Sequence, residues 1–325
     1  MAATILLIGC GNWGKLILRD LVECGARVIV VARSAETRVR ALTVGAAAAF
    51  DSVTFAISRS PGIDGVIVAT PTSTHGAVIR QVLELLPSAP VFTEKCLAPS
   101  AREAAELAVL GGNRLFVMDK WRYHPGIELL RDLVLSGEFG RVRSIRLVRR
   151  SENTKHVDVD PVWILLPHDL SITLELLGDI PRPQAARGIS DGTWATEVSA
   201  LLGDDPFVTI DISGRALTRD RSVTIQFEDA VVALADSDAS SLQVVRRPVR
   251  AGDDELCVEE LPFAARMPLR AELEVFLAYL RGEGPSPRSS AAEGAKIVEN
   301  ISIIRQLAGF MEIPYDQGHD SYSHP

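Results

Sequence analysis

"LIGCGNWGKL", residues 7–16, sets three glycines, Gly9, Gly11 and Gly14, directly behind an apolar run. A G-x-G-x-x-G spacing that ends a strand and opens a helix fits a turn built to receive the pyrophosphate of a dinucleotide. Each glycine has its own task in such a turn: Gly9 allows the tight bend, Gly11 lets the backbone approach the phosphates, and Gly14 lets helix and strand pack closely. Cys10, Asn12 and Trp13 complete the cradle, at a helix N-terminus whose free N–H groups attract an anion.

Around this turn, up to about residue 119, short apolar runs alternate with helical stretches: "TILLIG", "WGKLILRDLVECG", "RVIVVA", "GVIVAT", "HGAVIRQVLELL", "VFTE", "REAAELAVLGG" and "LFVM". Uninterrupted apolar strands between helices imply a doubly wound parallel sheet covered on both faces, which binds ligands at the carboxyl ends of its strands. The segment "KWRYHPGIELLRDLVLSGEFG" (120–140) then reads as a helix closed by Gly137 and Gly140. Alternating strands at 142–150, 193–202, 206–213, 222–227, 230–235 and 255–261 follow, parted by "GDDP", "EDA" and "AGDD", and predict a large, mostly antiparallel sheet. Helices near 160–178, 268–281 and 290–309 are expected to cover that sheet. The predicted fold class is α/β, with an N-terminal Rossmann domain over 1–119 and a C-terminal α+β domain over 120–325 for substrate and oligomer contacts. A chain of 325 residues is long enough for two such cores. The tail "DQGHDSYSHP" (316–325) has no periodicity and reads as a loose end.

Composition removes several classes of function. The chain is 47% hydrophobic and 23% charged, ordinary globular values, and no run approaches the roughly 20 apolar residues of a membrane span. Met1 leads straight into a strand without a secretory signal, so a cytoplasmic location is expected. A net charge of −8, with basic residues interspersed among acids, argues against a nucleic-acid groove. The densest basic stretch, "GRVRSIRLVRRS" (140–151), alternates with apolar residues and reads as a strand with a solvated face or subunit rim. Cys10, Cys24, Cys96 and Cys257 stand far apart with no C-x-x-C pair, so neither a disulfide framework nor a metal site is expected.

The end of the second strand selects the dinucleotide. An acid there would accept from the ribose 2′-OH, but "VIVVARSAETR" (28–38) places Arg33 and Ser34 at that point, with Arg38 about one helical turn on. A guanidinium fork and a hydroxyl donor suit a 2′-phosphate, which favours NADP(H), with NAD(H) as the alternative.

Two further stretches, "VIVATPTSTH" (66–75) and "VFTEKCLAPS" (91–100), complete a pattern with the helix beyond them. Together with the glycine turn they resemble, over nearly the whole chain, the glucose–fructose oxidoreductase, inositol dehydrogenase and rhizopine-catabolism (Gfo/Idh/MocA) family of dehydrogenases. The matching residues are Thr70, Pro71 and His75, then Glu94 and Lys95, then His168 ten residues ahead of Gly178. The resemblance implies that Thr70, Pro71, His75 and Glu94 serve the cofactor side, and that Lys95 reaches the substrate oxygen and the nicotinamide edge. It also implies that His168 is the proton donor. Lys95 sits where this fold concentrates function, and a cation beside a forming alkoxide can act as clamp or acid. Pro167 suits the first turn of a helix, which would put His168 near the positive helix end and keep its imidazole neutral.

The chain departs from that family at two positions. Cys96 follows the lysine where Pro is usual, and Ile164 stands where an Asp usually precedes the His by four residues. Asp169 cannot replace that partner, because the next helical residue is rotated by about 100°. Without the carboxylate, reduction is favoured over alcohol oxidation. Tyr123, at the domain junction, could donate to a substrate oxygen instead, and Arg122, His124, Trp121 and Trp163 are expected to line the same cleft. The expected activity is NADPH-dependent reduction of a ketosugar, cyclitol or related carbonyl compound by a homo-dimer or homo-tetramer. The alternatives are a reductase of the thiazolinyl-imine type and a non-catalytic NADP(H)-binding regulator.

Overall fold

The computed structural model describes residues 2–151, 158–192, 194–246 and 256–310. Its first sheet joins β1 (Thr4–Ile8), β2 (Arg27–Val31), β3 (Ala48–Phe50), β4 (Gly65–Val68), β5 (Val91–Glu94) and β6 (Leu115–Met118). The strands run parallel in the order β3-β2-β1-β4-β5-β6. Every residue of β4 and β6 is buried, as expected of strands covered on both faces. The helices between them are α1 (Asn12–Glu23), α2 (Ala35–Val44), α3 (Val53–Arg59), α4 (His75–Leu85) and α5 (Ala101–Gly111). Strand order reverses between β1 and β4, and that reversal opens a crevice at the carboxyl ends of the strands.

After α6 (Pro125–Ser136), closed by Gly137 in the left-handed region, the chain enters the second sheet. Its strands are β7 (Val142–Arg150), then β8 (Pro183–Ser190), β9 (Ala195–Leu202), β10 (Phe207–Ser213), β11 (Asp220–Phe227), β12 (Ala230–Leu234), β13 (Ser241–Arg246) and β14 (Cys257–Pro262). Their order is β14-β13-β12-β11-β7-β10-β9-β8, antiparallel throughout except for the parallel β7–β10 pair. The sequence reading missed β8 and β13. β8, "PQAARGIS", is an edge strand that buries only Pro183 and Ala186, and β13 is short and ends in arginine, so neither shows a strong apolar alternation. One face of the sheet is covered by α7 (Pro161–Leu177), a helix buried on almost every side. The tail at 316–325 lies outside the described residues.

Of the two carboxyl-terminal helices, one does not lie where it was expected. Instead of covering the antiparallel sheet, α8 (Pro268–Leu280) returns to the first sheet, where Leu273, Phe276 and Leu277 share a core with Ile5, Leu7, Phe92 and Phe116. Each such burial stabilises by about 1.5–3 kcal/mol, enough to fix the helix across the crevice. The last helix, α9 (Ala291–Leu307), packs against α5, α7 and β8. Its N-terminus is held by a capping box between Ser290 and Glu293.

Candidate active site

Four carboxyl ends of the parallel sheet converge on the crevice: the turn after β1, residues 69–72 after β4, Glu94 and Lys95 after β5, and residues 118–120 after β6. Gly9 adopts φ +93°, and a Cβ there would lie 2.4 Å from the Ala69 carbonyl oxygen. A Cβ on Gly14 would lie 2.4 Å from the Gly9 oxygen. Both glycines are therefore demanded by the protein's own packing. Gly11 differs: a Cβ there meets nothing within 4 Å, and no side chain caps α1 at that residue. Its openness fits a backbone left clear for a bound phosphate.

The crevice widens into a cavity of about 340 Å³ between the two sheets. On the Rossmann side it is lined by Trp13, Ala69, Thr70, Pro71, Glu94, Lys95 and Lys120, with Glu272 from α8; on the other by Trp121, Arg149, Ile164, His168 and Arg221. Lys95 Nζ donates to the Ile164 carbonyl at 2.9 Å, which ties the residue after β5 to α7. Pro167 is well inside α7, whose N-cap is Asp160, so His168 is two turns from the helix start rather than in its first turn. Because Pro167 has no N–H, the Trp163 carbonyl loses its helical donor, and the Cys96 thiol lies 3.4 Å from it. Burial pushes the Cys96 thiol up to about 12, so it stays protonated. The Lys95–Cys96 peptide is cis.

His168 Nδ1 is buried without a hydrogen-bond partner. Burial, reinforced by the charges of Lys95, Arg149, Lys120 and Arg221, holds its pKa well below the usual imidazole range. The ring is thus neutral at pH 7, though through desolvation and like charge rather than a helix terminus. Asp169 turns away from it and accepts from Arg149 Nε at 2.9 Å and Nη2 at 2.8 Å. Trp13 Nε1 donates to Glu94 Oε1, and Lys120 Nζ sits 4.4 Å from the Trp13 ring centroid.

Glu272 lies on the cavity-facing side of α8, almost fully buried, with Oε2 unpartnered. Burial, then the nearby Glu94 and Asp119, raise its pKa well above the usual carboxylate range. Below about pH 4.5 the carboxyl is protonated in both the folded and unfolded chain and has no linkage effect. Above that pH the unfolded chain releases the proton and the folded chain keeps it, so stability falls as pH rises towards the folded pKa. Glu272→Gln is therefore expected to melt higher than wild type at pH 8, with the gap closing near pH 4.5. Equal melting-temperature differences at both pH values would refute this account of Glu272.

Several expected site residues are placed elsewhere. Tyr123 is buried away from the cavity; its hydroxyl accepts from the Arg288 backbone N–H at 2.9 Å and Arg288 stacks on its ring, so it has no route to a substrate oxygen. Arg122 is consumed by Glu175 at 2.6 Å and Glu293 at 3.1 Å. His124 caps α6 by accepting from Gly126 N–H, and its Nε2 lies 3.0 Å from the Ser237 carbonyl. Trp163 is buried under Arg305. Of the junction aromatics, Trp121 does face the cavity, with Arg149 4.3 Å above its ring. His75 is fully buried behind the cofactor side, its Nδ1 2.6 Å from the Cys96 carbonyl and Nε2 2.9 Å from that of Thr70, so it braces these two loops.

At the end of β2, Arg33 is exposed, whereas Arg38 donates to the Ala32 and Arg33 carbonyls at 2.8 and 2.6 Å and so wraps the turn. Ser34 Oγ accepts from Thr37 N–H as the N-cap of α2, which leaves its hydroxyl proton free to donate.

Lys120, Arg149, Arg221 and Glu272 were not foreseen as site residues. A signal existed for three of them. Arg149 follows Ile145 and Leu147 in the inward register of β7, and Arg221 precedes Val223 and Ile225 in that of β11, so each arginine takes a core-facing slot. The basic stretch at 140–151 is therefore not uniformly a solvated rim: Arg149 is 2% exposed. Glu272, three residues after Leu269 and four before Phe276, likewise falls on the apolar face of its helix, whereas Lys120 carries no comparable pattern.

A family model described as an oxidoreductase family with an NAD-binding Rossmann fold matches residues 3–113. UDP-N-acetylglucosamine 3-dehydrogenase of Acidithiobacillus ferrooxidans is 25% identical over 288 residues, 86% of this chain and 89% of that protein. Inositol 2-dehydrogenase 2 of Paenarthrobacter aurescens is 27% identical over 233 residues, 67% and 68% of the two chains. Among solved structures, levoglucosan dehydrogenase in complex with NADH and L-sorbose superposes with a TM-score of 0.82 at 16% identity, over 96% of this chain and 100% of that one. That likeness concerns the fold. Among the described residues no helix is long and apolar enough to cross a membrane.

Proposed function

Because the chain belongs to the Gfo/Idh/MocA family of NAD(P)-dependent oxidoreductases, we propose that it uses NADPH to reduce a ketosugar, cyclitol or related carbonyl compound in the cavity beside Lys95. The observation that carries this reading is that Lys95, just after β5, and His168, on α7, line one cavity at the strand carboxyl ends next to the glycine turn. Relatives named for a UDP-sugar and for inositol support a polyhydroxylated substrate.

The residues fit the cofactor: Gly11 leaves the backbone clear, Glu94 fixes Trp13, and Arg33 with Ser34 would take the 2′-phosphate. When bound, the nicotinamide supplies the hydride. Lys95 places its ammonium where negative charge develops on the substrate oxygen, a differential interaction that grows towards the transition state. His168 is neutral, so its imidazole can accept a proton at one nitrogen and donate from the other without holding charge, which suits a relay between Lys95 and solvent. The vacancy of a carboxylate partner at Ile164 favours this relay over strong-base chemistry. The outward face of the second sheet, with Val148, Thr209 and Val231 half-buried, would carry the dimer or tetramer contact.

The test is oxidation of NADPH and of NADH, followed at the nicotinamide absorbance, against panels of ketosugars and cyclitol ketones. Activity with none of them would remove the substrate reading. For the cofactor, Arg33→Asp should move the preference from NADPH towards NADH by about tenfold or more, because a guanidinium–phosphate contact becomes a repulsion. An unchanged ratio of dissociation constants would show that Arg33 does not meet the 2′-phosphate.

A further inference from the structure

The antiparallel-sheet wall of the cavity carries a pair of like charges for which the fold alone gives no reason. Arg221 on β11 and Arg149 on β7 are direct cross-strand partners in the antiparallel register. Both occupy slots in phase with buried apolar residues, Ile145 and Leu147 on β7 and Val223 and Ile225 on β11. Like charges directly opposite each other destabilise a sheet. Arg149 is compensated by Asp169, which accepts two of its N–H groups. Arg221 has no such relief: its Nε is buried without a hydrogen-bond partner, and it joins no ion pair among the described residues. Its neighbour Arg219 pairs with Asp238 at 3.1 Å, so the acids near that end of the strand are already engaged.

The other charges of the cavity do not neutralise it. Lys95 and Lys120 add two cations from the Rossmann side, and neither cavity carboxyl pairs with Arg221: Glu94 accepts from Trp13, and Glu272 keeps its proton. Burial and the like charges of Arg149 and Arg219 lower the Arg221 pKa, the mark of a cation held where its own fold does not favour it. A cofactor pyrophosphate is already provided for at the N-terminus of α1, on the Rossmann side, whereas Arg221 belongs to the wall that faces the substrate.

We propose that Arg221, seated beside Arg149, is the substrate-recognition residue for an oxyanion, a carboxylate or a phosphate, carried by the polyhydroxylated substrate. This rests on the oxidoreductase reading above and narrows it to acidic sugars or polyols. The anion anchors one end of the molecule on the antiparallel sheet, and the reacting carbon is then presented to Lys95 at the other wall. An anion so placed would also offset part of the positive field that surrounds His168.

The test begins with NADP⁺ titrated by calorimetry into wild type, Arg221→Gln and Arg221→Lys. Absence of binding to wild type by NADP⁺ and by NAD⁺ alike would overturn the oxidoreductase reading itself, before any sugar is added. The saturated proteins are then titrated with D-glucose, D-glucuronate and D-glucose 6-phosphate, which differ in the group at C6. The expected result is that one anionic sugar binds wild type about tenfold or more tightly than D-glucose. Arg221→Gln should erase that preference while keeping cofactor affinity, and Arg221→Lys should retain part of it. Which anion wins identifies a carboxylate or a phosphate. Equal binding of all three sugars, or no binding of any, overturns the proposal; so does an anion preference that survives Arg221→Gln. A loss of NADP⁺ affinity in that variant would assign the guanidinium to the cofactor instead and also overturn it.

Discussion

Lys95→Met is expected to lower kcat by about 10²–10⁴-fold while leaving NADPH affinity within about threefold of wild type. Methionine matches the length of the stem and removes the ammonium. The ammonium it removes lines the cavity and donates to the Ile164 carbonyl. Loss of that one charged hydrogen bond costs about 1.5–3 kcal/mol of stability, too little by itself to unfold the chain, so the effect on turnover is separable by a melting curve. The lysine meets substrate oxygen most strongly when that oxygen is most negative, and the loss should therefore appear in kcat more than in KM. Lys95→Arg keeps the charge but replaces a compact ammonium by a planar fork, and should recover only part of the rate. If single-turnover rates of Lys95→Met match wild type, the cation is not placed at the reacting oxygen. A change confined to KM would make Lys95 a uniform binding group, and the proton would then have to be accounted for at His168 alone.

The glycine turn, the parallel strands and the place of Lys95 at the end of β5 could be read from the sequence because each depends on residues close in the chain. An apolar run followed by G-x-G-x-x-G leaves the backbone few choices, and β1, β2, β4, β5 and β6 all fall where the runs placed them. The substrate wall was less legible. Glu272 reaches the cavity only because α8 crosses back onto the first sheet, a docking set by Leu273 and Phe276 and invisible to local periodicity. "KWRYHPG" shows the same limit. In its tight helical turn, Lys120 and Trp121 face the cavity while Arg122 and Tyr123 turn towards Glu175 and Arg288, and no two-residue or four-residue period foretells that split. Arg149 and Arg221 lie between these cases. Their phase with the core-facing residues was present in the sequence, but read as part of a basic run they looked solvated. A charged residue in an inward slot of a strand is the more informative feature, since burial must be repaid by a partner or a ligand.

Gly9→Ala and Gly11→Ala, two residues apart in one turn, should fail in opposite ways. Gly9 has φ +93°, which an L side chain rarely adopts, and its Cβ would press into the Ala69 carbonyl at 2.4 Å. Neither backbone can yield without disturbing the β1–β4 pairing, so Gly9→Ala should lose more than about 3 kcal/mol of stability, visible as a lowered melting temperature or as insoluble protein. Gly11 has φ −70° and ψ −157°, extended backbone that alanine accepts, and nothing within 4 Å of its added Cβ. Its melting temperature should stay at or slightly above the wild-type value, because alanine also restricts the unfolded chain, by about 0.4–1 kcal/mol. The methyl group would instead occupy the space through which the pyrophosphate approaches the N-terminus of α1. NADP(H) affinity should then fall by about 10²-fold in a fully folded protein. A Gly11→Ala protein that binds NADPH as wild type does would mean that the phosphates do not pass over this residue. A Gly9→Ala protein that melts normally would contradict the close contact between the two loops. Only if the first variant loses the cofactor and the second loses the fold do the glycines have the separate roles that their surroundings imply.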